Sequence, residues 1–416
     1  MKAGAAALTL VATAACAGPA AVDRSPTTEA VLPGGAVWSA AVPDNWNGTL
    51  LLHSRGYAPA AGHPEPAPAQ YREALLARGY ALAASNYGSG GWALAEAVPA
   101  QEATVAAFAR RYGKPKSVIA YGFSMGGLVT TALAEKRAPI IDGAVAFCGS
   151  IGGSIAMMNM GLDGAFAFKT LLAPRSAIEL VGITDDRANG AMVQAVAREA
   201  QASAAGRARL VLAATLAGIP AWVPEVPGES PERTRERQVE ALVRAFPMGV
   251  FLPRAEQEQR AGVGYSWNTG IDYAALLRRS GREDFVRAAY AAADLDLGAD
   301  LERLAKAPRV PSRPAARTYM AAHYTPTLRP SVPLLAVQNL GDPVTSPSLQ
   351  ESYAAQAPAA DFKSLYLDQA GHCTFSGDQI LDAIHTVEKR LQSGSWGVPA
   401  GSYATRRPPP MPRGLD

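Results

Sequence analysis

Cysteine is scarce in this 416-residue chain: there are three, Cys16, Cys148 and Cys373, and the five histidines are scattered. No Cys-x-x-Cys or His-Glu-x-x-His pattern occurs, so the ligand spacings of a zinc site are missing and no metal or other cofactor is expected. Charge is sparse too. Charged residues make up 18% of the chain and the formal net charge is +3, without a basic block, which excludes the phosphate-neutralising stripe of a nucleic-acid binder. Beyond the N-terminus there is no uninterrupted apolar run of about 18 residues, the minimum for a spanning helix. Glycine (39) and proline (32) stay below the share of a low-complexity chain, and no internal repeat is visible. What remains is 48% hydrophobic residues in a chain long enough for one large domain carrying an insertion.

The first 17 residues read as an export segment: Lys2 is followed by a small apolar run from Ala3 to Ala15, too short to span a bilayer. Two processing routes fit. Ala15-Cys16-Ala17 suits ordinary signal cleavage, whereas Thr13-Ala14-Ala15-Cys16 resembles a degenerate lipobox that would lipidate Cys16 and tether the protein to a membrane. In either case the mature body is expected outside the cytoplasm, secreted or lipid-anchored. Cys148 and Cys373 then remain as an even pair of thiols in an oxidising compartment, a candidate disulfide.

From residue 30 to 150, short apolar runs alternate with helix-like stretches, the pattern of a mostly parallel sheet covered by helices. Strands are expected at Val37–Val42, Thr49–His53, Tyr80–Ala84, Ser117–Tyr121 and Ala144–Cys148, with helices at Tyr71–Arg78, Ala95–Tyr112 and Gly127–Lys136. Residues 151–330 are rich in Ala, Leu, Arg and Glu with helical periodicity, and read as a helical cap inserted into the domain. One face of that insertion is Val239, Leu242, Val243 and Phe246, opposite an i,i+4 Glu240–Arg244 pair. The α/β pattern resumes over 331–393, with strands at Leu334–Val337 and Phe362–Leu367 and helices at Pro347–Gln356 and Asp378–Leu391. Residues 394–416, with Gly394, Gly397, Gly401 and the run Arg407-Pro408-Pro409-Pro410, read as an extended, poorly packed tail.

The sharpest motif is Gly122-Phe123-Ser124-Met125-Gly126, placed directly after a strand and before a helix. A serine on such a turn protrudes, and the flanking glycines let the helix pass close to neighbouring strands. A hydroxyl is a weak nucleophile until a base takes its proton and an acid orients that base. His372, in the loop after the last strand, and Asp342, in the loop after the preceding strand, supply both in the order Ser, Asp, His. Parallel strands bring these loops to one sheet edge, so the distances along the chain are no obstacle. Asp361 and Asp368 are rival acids, but Asp361 sits at a strand start on the wrong edge and Asp368 is only four residues from His372. For a developing oxyanion, the Met125 N–H is one expected donor and the loop His53-Ser54-Arg55-Gly56-Tyr57 supplies the other, from Tyr57 or Gly56, with Tyr57 favoured. His53 itself reads as a loop brace. Tyr87 and Trp92, on the loop after the third of these strands, and Trp267 are expected in the substrate pocket, with Phe166, Phe168, Trp222 and Tyr265 as further wall candidates among residues that are mostly core.

The strand Asn47-Gly48-Thr49-Leu50-Leu51-Leu52, the elbow Ser124-Met125-Gly126-Gly127 and the ending Gly371-His372-Cys373 resemble the α/β-hydrolase superfamily, in particular secreted bacterial members, over about 36 to 393. The resemblance implies an α/β-hydrolase fold with a helical cap and metal-free hydrolysis through an acyl-enzyme. Tannase and feruloyl-esterase relatives place one Cys beside the serine and another after the histidine, and join them. Here Phe123 precedes Ser124, so a Cys148–Cys373 bridge would do that work from a neighbouring strand.

A serine rather than an aspartate at the elbow argues against dehalogenase or epoxide-hydrolase chemistry, which needs a carboxylate nucleophile. Hydrolysis of a small, apolar or aromatic carboxylic ester is the leading expectation, with thioester, amide or peptide hydrolysis behind it. A non-catalytic binding protein of the same fold would show a broken triad, and Ser124, Asp342 and His372 all stand.

Overall fold

Along the central strands, side chains alternate between two apolar clusters. Leu50, Leu52, Ala120, Ala144, Ala146, Leu334 and Ala336 face one, while Leu51, Ile119, Tyr121, Val145, Phe147, Leu335 and Val337 face the other. Strands buried on both faces read as continuous apolar runs, which is why they were legible without a polar side. The computed structural model describes residues 27–411 and residue 413. The expected export segment and Cys16 lie outside the described residues.

Eight strands form one sheet: β1 (Thr27–Val31), β2 (Val37–Ala41), β3 (Thr49–Ser54), β4 (Ala81–Ser85), β5 (Ser117–Phe123), β6 (Gly143–Phe147), β7 (Leu334–Gly341) and β8 (Phe362–Ala370). Their spatial order is β1-β2-β4-β3-β5-β6-β7-β8. β1 pairs antiparallel with β2, β2 antiparallel with β4, and all remaining neighbours are parallel. This is the α/β-hydrolase fold. Helices α1 (Ala69–Ala77) and α14 (Gly377–Ser393) cover one face through Leu75, Leu76, Ile380, Ile384 and Val387. Helices α2 (Leu94–Tyr112), α3 (Met125–Ala134) and α13 (Pro347–Ala354) cover the other. The alanines on that second face leave room for close helix approach.

Sequence missed β1 because Thr-Thr-Glu-Ala-Val is short, polar and without alternation, as an edge strand usually is. The ends of β7 and β8 were also placed too early. β7 runs on through Gln338 and Asn339, whose buried side chains are satisfied by Thr345, Gly371 and Thr374.

The insertion folds as α4 (Ser154–Leu172), α5 (Asp186–Gln201), α6 (Ala204–Leu216), α7 (Pro231–Val250), α8 (Ala255–Ala261), α9 (Tyr273–Arg279), α10 (Glu283–Ala291), α11 (Leu297–Lys306) and α12 (Pro314–Ala322). It is fused to the sheet rather than hung from it. The first half of α4, Ile155 to Met160, belongs to the sheet cluster, while Ala165 to Leu171 belongs to a separate cap cluster with α5, α6, α7 and α9 to α11. The expected face of α7 is there: Leu242, Val243 and Phe246 are buried in that cluster.

The tail departs from expectation. It is extended, but it is packed. The Tyr403 hydroxyl donates to Asp382, the Ala404 N–H donates to the Tyr366 carbonyl, and Met411 and Arg413 are buried. Arg413 reaches the cap, where it donates to the Trp267 carbonyl at 2.7 Å and lies 3.6 Å from the Asp163 carboxylate. Proline-rich composition describes the backbone geometry of the segment and says nothing of what it lies against.

Candidate active site

Ser124 stands between β5 and α3 at φ 58° and ψ −122°, a conformation that costs a non-glycine residue about 1–3 kcal/mol. Its surroundings hold it there. Its N–H donates to the Phe147 carbonyl at the end of β6. A Cβ on Gly122 would lie 2.3 Å from the Gly126 carbonyl oxygen, and one on Gly126 would lie 2.0 Å from that of Ser54. Only glycine fits at either position, and α3 therefore starts at once, at Met125, two residues before the expected Gly127.

The loops after β8 and β7 bring His372 and Asp342 to the same edge. The Ser124 Oγ is 2.9 Å from His372 Nε2, and His372 Nδ1 is 2.9 Å from Asp342 Oδ2. A carboxylate only accepts, so the ring proton lies on Nδ1 and Nε2 is left to accept the Ser124 hydroxyl. Asp342 is fully buried; its Oδ1 accepts the N–H groups of Val344 and Thr345, and its Oδ2 also accepts the Thr345 hydroxyl. Thr345, three residues past Asp342, lies 2.8 Å from the Cys148 carbonyl and 3.3 Å from His372 Nδ1 as well. Sequence reasoning passed over it, although Asp-x-x-Thr is a local turn pattern in which the side chains bond the backbone. The rival acids are elsewhere. Asp361 precedes β8 at the opposite sheet edge, and the exposed Asp368 accepts from the Trp222 indole and from Arg406.

A disulfide joins Cys148, immediately after β6, to Cys373, immediately after His372, with Cα atoms 5.3 Å apart and 225 positions between them in sequence. It ties the strand next to the elbow to the histidine loop. The Sγ of Cys373 lies 3.4 Å from His372 Nε2. Among the described residues, Cys148, His372 and Cys373 form the one cluster with ligand atoms as close as a metal site requires. Both sulfurs are spent in the bridge, and a metal needs thiolates.

Of the expected oxyanion donors, the Met125 N–H opens α3 and belongs to the first turn, whose amides have no intrahelical acceptor. On the facing loop, a Cβ on Gly56 would lie 3.6 Å from the Ser124 Cβ, so this loop lies against Ser124. Neither the Gly56 nor the Tyr57 N–H has an acceptor among the described residues. His53 is buried below them, with Nδ1 3.0 Å from the Glu65 carbonyl, and burial lowers its pKa to about 4.

The pocket expectations need correction. Tyr87 is buried, its hydroxyl donating to the Arg55 carbonyl and its ring under the Arg55 guanidinium. Trp92 is buried, its indole donating to Ser154. Both are packed loop residues whose polar handles are engaged inside the protein. Trp267 is sandwiched by Arg317 and Arg413 and lines a cleft of about 350 Å³ with Ile271, Asp272 and Leu276, which contains none of Ser124, Asp342 and His372. Phe166, Phe168 and Tyr265 are core. Trp222 reaches the end of β7, against Gly341.

No protein-family model matches the chain. A curated relative, o-phthalyl amidase of Xanthobacter agilis, is 27% identical over 404 residues, covering 88% of this chain and 87% of that one. Similar solved structures include an esterase from Aspergillus oryzae, 14% identical over 86% of this chain and 77% of that one at a TM-score of 0.42. Another is proline iminopeptidase of Mycobacterium smegmatis, 14% identical over 88% of this chain and 98% of that one at a TM-score of 0.38.

Proposed function

We propose that this chain is a serine hydrolase that cleaves a small carboxylic ester through an acyl-enzyme on Ser124. The observation that carries the reading is the continuous hydrogen-bonded chain from Ser124 Oγ through the His372 ring to the buried Asp342. As Ser124 attacks the acyl carbon, His372 Nε2 takes its proton and Asp342 stabilises the imidazolium that forms. The carbonyl oxygen becomes an oxyanion facing the Met125 N–H and the Gly56–Tyr57 loop, at the positive end of α3. His372 then gives the proton to the leaving alcohol. Water repeats the sequence on the acyl-enzyme, releasing the acid and restoring Ser124.

A second reading keeps the machinery and changes the bond. The relative named as an amidase spans nearly the whole chain, which favours an amide with the acyl group held as above. The leaving amine then depends more heavily on protonation by His372. We also propose export, with cleavage near residue 17 or lipidation of Cys16 as the two routes.

A fluorophosphonate probe tests the reaction class: the parent protein labels at Ser124 and Ser124→Ala does not. Loss of Ser124 or His372 lowers kcat by about 10⁶. Labelling elsewhere, or full activity in Ser124→Ala, would refute the proposal. Paired aryl esters and aryl anilides sharing one acyl group decide between the two bonds.

A further inference from the structure

Arg55 lies one residue before the loop glycine that touches Ser124, and its guanidinium makes contacts that a surface arginine does not. Nη2 donates to the Ser89 carbonyl at 2.5 Å and to the Asn86 carbonyl at 3.3 Å, and Nη1 donates to the Gly56 carbonyl at 3.0 Å. Its plane covers the Tyr87 ring at 4.6 Å. Among the described residues no carboxylate pairs with it. All its bonds go to backbone oxygens, so what it does is fix peptide groups.

The peptide groups concerned are those of the proposed oxyanion loop. In a trans peptide the C=O and the N–H point in opposite directions, so pinning one aims the other. The Arg55 carbonyl accepts the Tyr87 hydroxyl, and the N–H on that peptide belongs to Gly56. The Gly56 carbonyl accepts Arg55 Nη1, and the N–H on that peptide belongs to Tyr57. Each carbonyl is thus held by one member of the Arg55–Tyr87 pair, and each amide points away from its own carbonyl's partner. Neither of those amides has an acceptor among the described residues. The clamp is anchored beyond itself: Gly91 N–H donates to the Ala58 carbonyl, and Arg260 of α8 grips the same 86–91 segment through Ser89 Oγ at 2.8 Å and the Gly90 carbonyl at 2.9 Å.

We infer that Arg55 is a positioning residue for catalysis, its planar fork orienting the Gly56 and Tyr57 amides toward the oxyanion formed at Ser124. The inference rests on the proposed acyl-enzyme reaction. A lysine keeps the charge but not the fork, since an ammonium cannot hold several carbonyls in one plane.

The test measures steady-state hydrolysis of 4-nitrophenyl butyrate, a chromogenic aryl ester, by the full chain, Arg55→Met, Arg55→Lys and Ser124→Ala. Arg55→Met lowers kcat about 10²-fold, the size of losing one oxyanion donor, with KM within threefold and the pH profile unmoved. Arg55→Lys loses at least tenfold in kcat while melting within a few degrees of the parent, and carries the test if Arg55→Met does not fold. A parental kcat in either folded variant, or a loss confined to KM, overturns the assignment while a dead Ser124→Ala leaves the reaction standing. An active Ser124→Ala overturns the reaction and the assignment together.

Discussion

The Cys148–Cys373 bridge gives the clearest quantitative handle. It closes a loop of 225 residues, for which the chain-entropy model assigns about 5 kcal/mol of stabilisation. With an unfolding entropy of about 2 cal/mol/K per residue over a chain of this size, that corresponds to a melting temperature lower by about 6 °C. The bridge also restrains the reacting groups. Cys373 follows His372, and the Thr345 hydroxyl lies within hydrogen-bond distance of both the Cys148 carbonyl and Asp342 Oδ2. Other tethers remain after reduction: Asn339 Nδ2 donates to the Gly371 carbonyl at 2.8 Å and to Thr374 Oγ1 at 3.0 Å, and the Gly371 N–H donates to the Gly341 carbonyl. The histidine loop therefore loosens without detaching, and a displacement of about 1 Å at His372 costs about 10² in kcat. The assay is calorimetry and ester hydrolysis on the parent and on Cys148→Ala/Cys373→Ala, each with and without reductant. Reductant lowers the melting temperature and kcat of the parent to those of the variant, and does nothing further to the variant. Equal melting temperatures for oxidised parent and variant would refute the stability argument; equal kcat values would show that the bridge is not what holds His372.

Asp342→Asn lowers kcat by about 10⁴ because an amide can present its NH₂ to Nδ1 and stabilise the wrong tautomer; stopped-flow acylation reads this directly. Thr345→Val leaves buried acceptors short of a donor, costing about 1–3 kcal/mol in denaturant titrations and about tenfold in kcat. Asp163 is buried in the cap with Tyr273 and Arg413 beside it, and burial raises its pKa to about 7 against an ordinary 3.8. The raised value means that the unfolded chain gives up its proton first, so stability is fully present below about pH 4 and declines as pH rises toward 7. Asp163→Asn removes up to about 4 kcal/mol of that slope, read as melting temperature against pH. Arg413→Ala deprives Asp163 of its cation and destabilises most above pH 7; in the Asp163→Asn background it costs far less.

The parts of this molecule that sequence revealed are those whose cause is local. Apolar strands buried on both faces, a Gly-x-Ser-x-Gly turn between a strand and a helix, and a helical period from Val239 to Phe246 each carry their reason within a few residues. The order Ser124, Asp342, His372 became legible for a different reason: in a parallel sheet the loops after successive strands share one edge, so topology stands in for proximity. The structure joins those three side chains at 2.9 Å per step. Tyr87 and Trp92 were misplaced for the complementary reason. Aromatic residues on a loop of the right edge satisfy a pocket and a core equally well in sequence, and only the partners of their hydroxyl and indole groups separate the two.

What sequence left hidden is polar and long-range. Gln338 and Asn339 look like the end of a strand, yet β7 continues through them because Thr345, Gly371 and Thr374 take their hydrogen bonds. A buried polar side chain costs free energy unless paired, and the pairing is decided by residues that no window contains. Arg55 and Arg413 follow the same rule. One bonds three carbonyls within the 55–89 region, the other crosses from the tail to Asp163 and Trp267, and neither sits in a motif. Both are nonetheless placed where geometry matters most: beside Ser124, and at the junction of tail and cap. An arginine that bonds backbone rather than carboxylate adds little to net charge pairing and much to the orientation of peptides. Positioning at the site thus rests on side chains whose identity is dictated by distant carbonyls, while the reacting groups themselves are dictated by the turn chemistry of their own loops.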